Sequence, residues 1–263
     1  VFAPVNSAFS GAGINLADFS TPEEIAELRQ ILLYHVLPGR VFETSLCNVR
    51  EFTTAEGSIS QSSDFTVEGD AYVINGFGFI EAGTQIVTKT VQLHKIDEVL
   101  PLPTFTNSEL IAEANADGDL LRLKQALDIL GINPNDLNST TILAPDDAAF
   151  DDLLNALGVD NLTEVNTDLL ATVIRYHVIQ GRRFSLDIDF EKGSLVTLDG
   201  TSIAPSVISA GFSFGDIHTK NSVVHVLDEV LLPPSVTLPA PAPRNKASLN
   251  NEKLKSLSKT KRL

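Results

Sequence analysis

The sequence predicts an α+β fold used twice in tandem, and three repeated blocks carry that prediction. The first is a strand-length apolar run with one histidine inside it, Val223-Val224-His225-Val226-Leu227, followed by Asp228-Glu229-Val230-Leu231. It matches Gln92-Leu93-His94-Lys95-Ile96 followed by Asp97-Glu98-Val99-Leu100, at an offset of 131 residues. The second block, Leu33-Tyr34-His35-Val36 through Gly39-Arg40, returns as Arg175-Tyr176-His177-Val178 through Gly181-Arg182, at an offset of 142. The third, Phe2-Ala3-Pro4 through Ala8-Phe9, returns as Leu143-Ala144-Pro145 through Ala149-Phe150, at an offset of 141. The blocks keep their order, so the halves differ in loop length, and the repeat is domain-sized rather than a solenoid unit.

The elements follow in order. Val1–Pro4 reads as the end of a strand and Asn6–Phe9 as a short helix. Thr21 caps a helix, Pro22 suits its first position and Glu24 completes a capping box. Ile25, Leu28, Ile31 and Leu32 fall on one face, and the helix is expected to run through Tyr34-His35 and stop near Pro38-Gly39. Residues 41–100 read as strands, with turns at Gly69-Asp70 and Asn75-Gly76, and Phe77 and Phe79 on one strand face. Pro101-Leu102-Pro103 is the boundary. The second half opens with a helix over 108–116 and another carrying Leu120, Leu123, Leu127 and Leu130, ended by Gly131. A strand over Thr140–Ala144, helices over Phe150–Leu157 and Asp168–His177, and strands through residue 232 with a turn at Asp199-Gly200 complete it. The domains are therefore placed at 1–103 and 104–236, with a Pro-rich linker and a basic disordered tail over 237–263.

The three blocks, Ala-Pro with a following Ala8-Phe9 or Ala149-Phe150, Tyr-His-Val, and the histidine strand with its Asp-Glu-Val-Leu exit, resemble the fasciclin (FAS1) domain family. The resemblance implies a wedge of two β-sheets with a helical layer in each domain, and an extracellular adhesion role. Val1 aligns with Ile142, yet the second half has helical sequence from about Asn107 with no counterpart in the first. The leading helices of domain 1 are thus expected to be missing, which leaves an apolar surface exposed on that domain.

Composition narrows the function. The net charge is −15, and residues 244–263 carry seven basic side chains against Glu252, a net +6 that leaves −21 on the rest. An acidic body repels phosphates, so nucleic acid is excluded as a partner, while the basic tail suits contact with an anionic surface. Apolar runs are too short to span a membrane. The single Cys47 forms no internal disulfide. No cofactor or metal is expected: Glu113, Asn115 and Asp117-Gly118 open like a calcium loop, but Lys124 stands where the closing glutamate belongs.

Candidate contact residues are Tyr34, His35, Tyr176 and His177. Adjacent helical residues do not share a face, so one of each pair is expected outside the core. The resemblance implies integrin contact at these pairs and at Asp216-Ile217, where domain 1 has Gln85-Ile86 and lacks the acid. The competing reading is that His35 and His177 bond backbone between layers and that Asp216 is a loop residue. His94 and His225 are expected to be satisfied core histidines. Asn138 and Asn161 head glycosylation sequons. The partner is then a cell-surface receptor, a matrix protein or a polysaccharide. Two rivals stand beside adhesion: a carbohydrate module with Phe77, Phe79, Phe212 and Phe214 as its platform, and an enzyme using His218 with nearby acids.

Overall fold

The computed structural model describes residues 1–42, 46, 51–65, 71–76, 78–81, 84–190 and 193–237. Cys47, the Gly69-Asp70 turn, Phe77 and the chain from 238 onward, with the basic tail, lie outside the described residues. Two compact units divide the chain, one over Val1–Pro103 and a second that begins at Thr104.

Unit 1 runs β1 (Phe2–Pro4), α1 (Asn6–Gly11) and α2 (Pro22–Tyr34), then strands β2 (Glu51–Thr53), β3 (Ile59–Phe65), β4 (Ala71–Ile74), β5 (Gly78–Glu81), β6 (Ile86–Val87) and β7 (Gln92–Ile96). Two sheets form among the described residues, with strand orders β1-β7-β6 and β2-β3-β4-β5. The capping box is in place: Thr21 Oγ1 accepts the Glu24 N–H at 3.2 Å, and the Glu24 carboxylate accepts the Thr21 N–H at 2.8 Å. Asn75 and Gly76 turn β4 into β5 with φ of 53° and 78°, the left-handed region that Asn and Gly tolerate. The helix stops at Tyr34, earlier than Pro38-Gly39, with His35 as its cap residue.

Unit 2 opens with α3 (Asn107–Ala116) and α4 (Leu121–Leu130), followed by β8 (Thr140–Pro145), α5 (Asp147–Leu157), α6 (Thr167–Tyr176) and β9 (Val178–Gln180). Next come α7 (Ser185–Phe190), β10 (Leu195–Val196), β11 (Ser202–Ile203), α8 (Pro205–Ala210), β12 (Phe212–His218) and β13 (Ser222–Leu227). The main sheet has the order β12-β13-β8-β9, beside a β10-β11 pair. Helices α7 and α8 interrupt a region expected to be strands throughout. Both are six residues long, too short for periodicity to reveal. Asp187, in the first turn of α7, accepts the N–H of the preceding Phe184 at 2.9 Å, and Pro205 opens α8.

The two units share one registration. The central strands pair in parallel with Phe2 opposite His94 in unit 1 and Leu143 opposite His225 in unit 2. Strand β13 is buried along its whole length, as a parallel strand covered on both faces must be. Val224 and Val226 enter a cluster with Leu110, Leu127, Phe150 and Ile174, while Leu227 enters a second with Leu143, Tyr176 and Ile203. In unit 1 the position of Val226 is held by Lys95, which is exposed, so that face is less buried there.

This difference is testable. Val226→Lys places an ammonium in a closed apolar cluster and should destabilise unit 2 by at least ~3 kcal/mol. Lys95→Val should change unit 1 by less than ~0.5 kcal/mol. Urea denaturation of both variants checks the pair, and similar shifts in the two units would contradict the assignment of faces.

Candidate functional site

The Tyr-His pairs sit where α2 and α6 end. Tyr34 is fully buried and Tyr176 is 5% exposed, while His35 and His177 are each 2% exposed. The expectation that one of each pair lies outside the core fails for a specific reason. Both helices end at the tyrosine, and the histidine is the cap residue rather than a member of the helix face. Tyrosine and histidine can therefore both turn inward. Asn75 Nδ2 donates to the Tyr34 hydroxyl at 2.9 Å.

Each histidine bridges two segments. His35 Nδ1 lies 2.8 Å from the Ile31 carbonyl, and Nε2 accepts the Leu100 N–H at 2.9 Å. His177 repeats this with the Val173 carbonyl at 2.7 Å and the Leu231 N–H at 2.9 Å. Because Nε2 accepts, the proton sits on Nδ1 and the ring is neutral. Burial holds both imidazoles below their ordinary pKa, His177 at about 4, with the helix carbonyl opposing in each case. The bridge joins the Tyr-His block to the Asp-Glu-Val-Leu block, two motifs that the sequence presents separately.

The strand histidines are also buried, His94 at 1% and His225 at 0% exposure. His94 Nε2 meets the Val41 carbonyl and His225 Nε2 meets the Arg183 carbonyl, each at 2.8 Å. Phe212 stacks on the His225 ring with centroids 4.9 Å apart. His225 Nδ1 accepts the Asp216 N–H at 3.2 Å.

That last bond belongs to an irregularity in β12. Register shifts between Phe214 and Ile217 mark a bulge, and Asp216 adopts φ of 61°. Asp216 is therefore a strand residue at a bulge and not a loop residue. Its carboxylate, half-buried, accepts the Ser185 N–H at 2.6 Å and the Ser185 hydroxyl at the start of α7. Ile217 is 4% exposed and joins the core. Gln85, the matching residue in unit 1, accepts a bond from the Gln92 side chain.

Sequence reasoning missed Arg182, whose side chain is fully buried at 1% exposure. It donates to the carbonyls of Thr219, Lys220 and Ser222 at 3.2, 3.1 and 3.4 Å, fixing the turn between β12 and β13. The available signal was the repeated Gly39-Arg40 and Gly181-Arg182; Arg40 donates to the Thr88 carbonyl at 3.2 Å. Asn107 closes the same turn from α3, accepting the Thr219 and Ser222 hydroxyls at 2.6 and 2.7 Å.

The rivals meet specific geometry. Phe212 packs into one core cluster and Phe214 into the other, so they do not form a common platform, and Phe79 is 40% exposed. His218 lies edge-on to Phe184 at 5.5 Å, and burial and then Arg182 lower its pKa to about 3, a weak base at neutral pH. Among the described residues no three His, Cys, Asp or Glu side chains gather to hold a metal. Among the sequons, Asn138 is exposed and Asn161 caps a short turn by accepting the Thr163 N–H at 3.2 Å.

The fasciclin domain model matches residues 1–103 and again 118–233. The chain belongs to the fasciclin domain family. Among curated fasciclin relatives, the cell surface glycolipoprotein MPB83 of Mycobacterium bovis is 37% identical over 99 residues, covering 36% of this chain and 44% of its own length. The immunogenic protein MPT70 of Mycobacterium tuberculosis is 32% identical over 99 residues, again 36% of this chain and 50% of its own. The chain thus spans about half the length of the curated relatives it matches. Among solved structures, a FAS1 domain pair from the insect cell adhesion molecule fasciclin I is 14% identical, with a TM-score of 0.37 over 89% of this chain and 88% of that one. No described helix is long and apolar enough to cross a membrane.

Two predictions follow from the buried titratable groups and the bulge. Asp146, the N-cap of α5, is 1% exposed, and burial, with Asp228 and Asp147 nearby, raises its carboxyl to about 6. As pH falls from 6.5 to 4 the unfolded chain binds a proton that folded His177 refuses, so stability drops, by up to ~3 kcal/mol. Asp146 works in the opposite sense: its contribution is fully present below its ordinary 3.8 and lost as pH rises through about 6. Asp146→Asn keeps a capping oxygen. It should stabilise unit 2 at pH 7 and leave the histidine loss unopposed. The urea midpoint of the variant should then fall more steeply than the wild type between pH 7 and 4, and parallel profiles would contradict this. Separately, a Cβ on Gly215 would stand 2.7 Å from His225 Nδ1. Gly215→Ala should cost unit 2 about 1–3 kcal/mol in the same assay.

Proposed function

We propose that this chain is an extracellular, cell-surface or matrix-associated protein that binds its partners non-covalently through its two fasciclin domains. The observation that carries the reading is the doubled family match over most of the chain. A relative named as a cell surface glycolipoprotein supports the compartment. Two units on one chain raise binding by avidity, which favours surfaces that present many copies of a ligand.

In this reading Tyr34, His35, Tyr176 and His177 are positioning residues. Their side chains are buried, so a partner meets the shell they fix and not the rings themselves. In unit 2 the inner residues Leu195, Ile203 and Ile208 pack in one cluster with Tyr176, while Val196, Leu198 and Val207 on the same elements and the loop beside them are 43%, 41% and 44% exposed. Asp216 belongs to the half-exposed edge of this unit, with its carboxylate held by Ser185 and Ile217 anchored in the core. A cell-surface receptor or matrix protein fits a unit that offers exposed aliphatic side chains and a carboxylate held in place.

The test is adhesion of cells and of purified integrin to surfaces coated with the full chain, alongside a glycan array. Val207→Glu and Asp216→Asn should each lower adhesion at least threefold while circular dichroism stays unchanged. Undiminished adhesion in both folded variants, or binding confined to the glycan array, would refute the assignment of this surface.

A further inference from the structure

Unit 2 gathers carboxylates where its chain turns from β8 into α5. Residues 104–237 carry 20 acidic side chains against seven basic ones, a net −13. Asp146 caps α5, and Asp147 and Asp151 lie one turn apart on it. Asp228 leaves the neighbouring strand β13, and Asp117 and Asp119 lie between α3 and α4. Burial, and then Asp147 and Asp117, hold the Asp119 carboxyl above its ordinary pKa. Burial, Asp228 and Asp147 do the same to Asp146. Arg122 stands among these acids, but its guanidinium is committed to Asp151 at 3.0 Å.

Two of the acids lack partners. Asp119 is 8% exposed, and its carboxylate meets no hydrogen-bond donor among the described residues. Asp146 is 1% exposed, with Oδ2 buried and unbonded. Enclosed carboxylates with acids for neighbours call for a positive group. Among the described residues no three acids gather round one point, so spaced cations match them better than a single ion. The fold itself does not demand this charge. The repeat puts Val5, Asn6 and Ser10 of unit 1 where Asp146, Asp147 and Asp151 stand in unit 2.

The chain carries the complementary charge, a net +6 over residues 244–263, and it leaves unit 2 beside the same helix. Leu232 and Val236 line a small apolar pocket with Leu153 and Leu157 of α5. That helix is about 16 Å long. The eight residues from Val236 to Arg244 extend to about 25 Å, enough to bring the basic residues to its acidic end. We propose that this acidic face of unit 2 is the seat of the chain's own basic segment, residues 244–263. Lysine and arginine side chains supply the donors that Asp117, Asp119 and Asp147 lack from the rest of the unit, and their long stems let the charge approach a half-enclosed carboxylate. The contact masks acids that only unit 2 has, and it is electrostatic, so salt weakens it.

The experiment treats the dilute full chain with a carbodiimide, which joins a lysine amine to a carboxylate in direct contact, and maps the links by mass spectrometry. Lys246, Lys253 or Lys255 should join Asp117, Asp147 or Asp151 within one chain. The yield should fall about fivefold or more in about 0.5 M sodium chloride. In the double variant Asp119→Asn with Asp147→Asn, links to the remaining Asp117 and Asp151 should fall by as much while circular dichroism stays unchanged. The salt comparison uses the unaltered chain and stands whatever the variant does. Links spread equally over acids of unit 1 such as Glu23 and Glu27, a yield indifferent to salt, or no link from the basic segment would each overturn the proposal. So would links confined to a dimer, since the segment of a second copy would then hold the face.

Discussion

A neutral imidazole with both ring nitrogens committed is the constraint on which each unit rests. His35 and His177 donate from Nδ1 into the last turn of a helix and accept at Nε2 from the segment that leaves the central strand. A helix end leaves carbonyls without partners, and a strand exit leaves an N–H without one. One ring meets both needs, provided that it stays unprotonated. A protonated ring would have two donors and would face the Leu100 or Leu231 N–H with another N–H. Burial opposes that protonation, so the geometry and the lowered pKa have the same cause. The position of the helical layer over the central sheet follows from this contact.

The second pair of histidines ties the sheet to the chain that follows the Tyr-His helix, and here the units diverge. His225 carries a further bond, from the Asp216 N–H, which the bulge in β12 makes available. The bulge in turn aims the Asp216 carboxylate at Ser185 and thereby starts a short helix. Gly215 is required because a side chain would collide with the ring. Backbone irregularity, a buried histidine and a helix start are thus a single arrangement. An acid at this position in a fasciclin domain is first a structural group in this chain, and any contact it makes uses the part of the carboxylate left over.

What the sequence revealed and what it concealed divide along physical lines. The repeat exposed the fold because matching residues keep matching registers, as Phe2 with His94 and Leu143 with His225 do. The capping box at Thr21 and the turn at Asn75-Gly76 were legible because their chemistry is local. Helices α7 and α8 were hidden because partners distant in the chain stabilise the first and a single turn or so is all that either contains. The fate of the Tyr-His pair was misjudged for a subtler reason. The rule that neighbours on a helix face apart holds inside a helix, and the histidine lies just past its end. Arg182 escaped notice since nothing local announces that a guanidinium will be enclosed by three carbonyls.

These lessons bear on where a fasciclin domain binds. Residues that recur between the two units are those that build the shared framework, and most of them are inaccessible: Tyr34, His35, His94 and their partners in unit 2 are buried. Recurrence within the chain therefore marks architecture, and a binding surface is to be sought among positions where the units differ and solvent reaches the side chain. Asp216 against Gln85, and exposed Leu32 against covered Ile174, are such positions. The first changes charge at an edge strand, and the second changes whether a core face is open. One framework thus presents two different faces, and tandem units that share a fold can engage different partners without altering the contacts that hold either together.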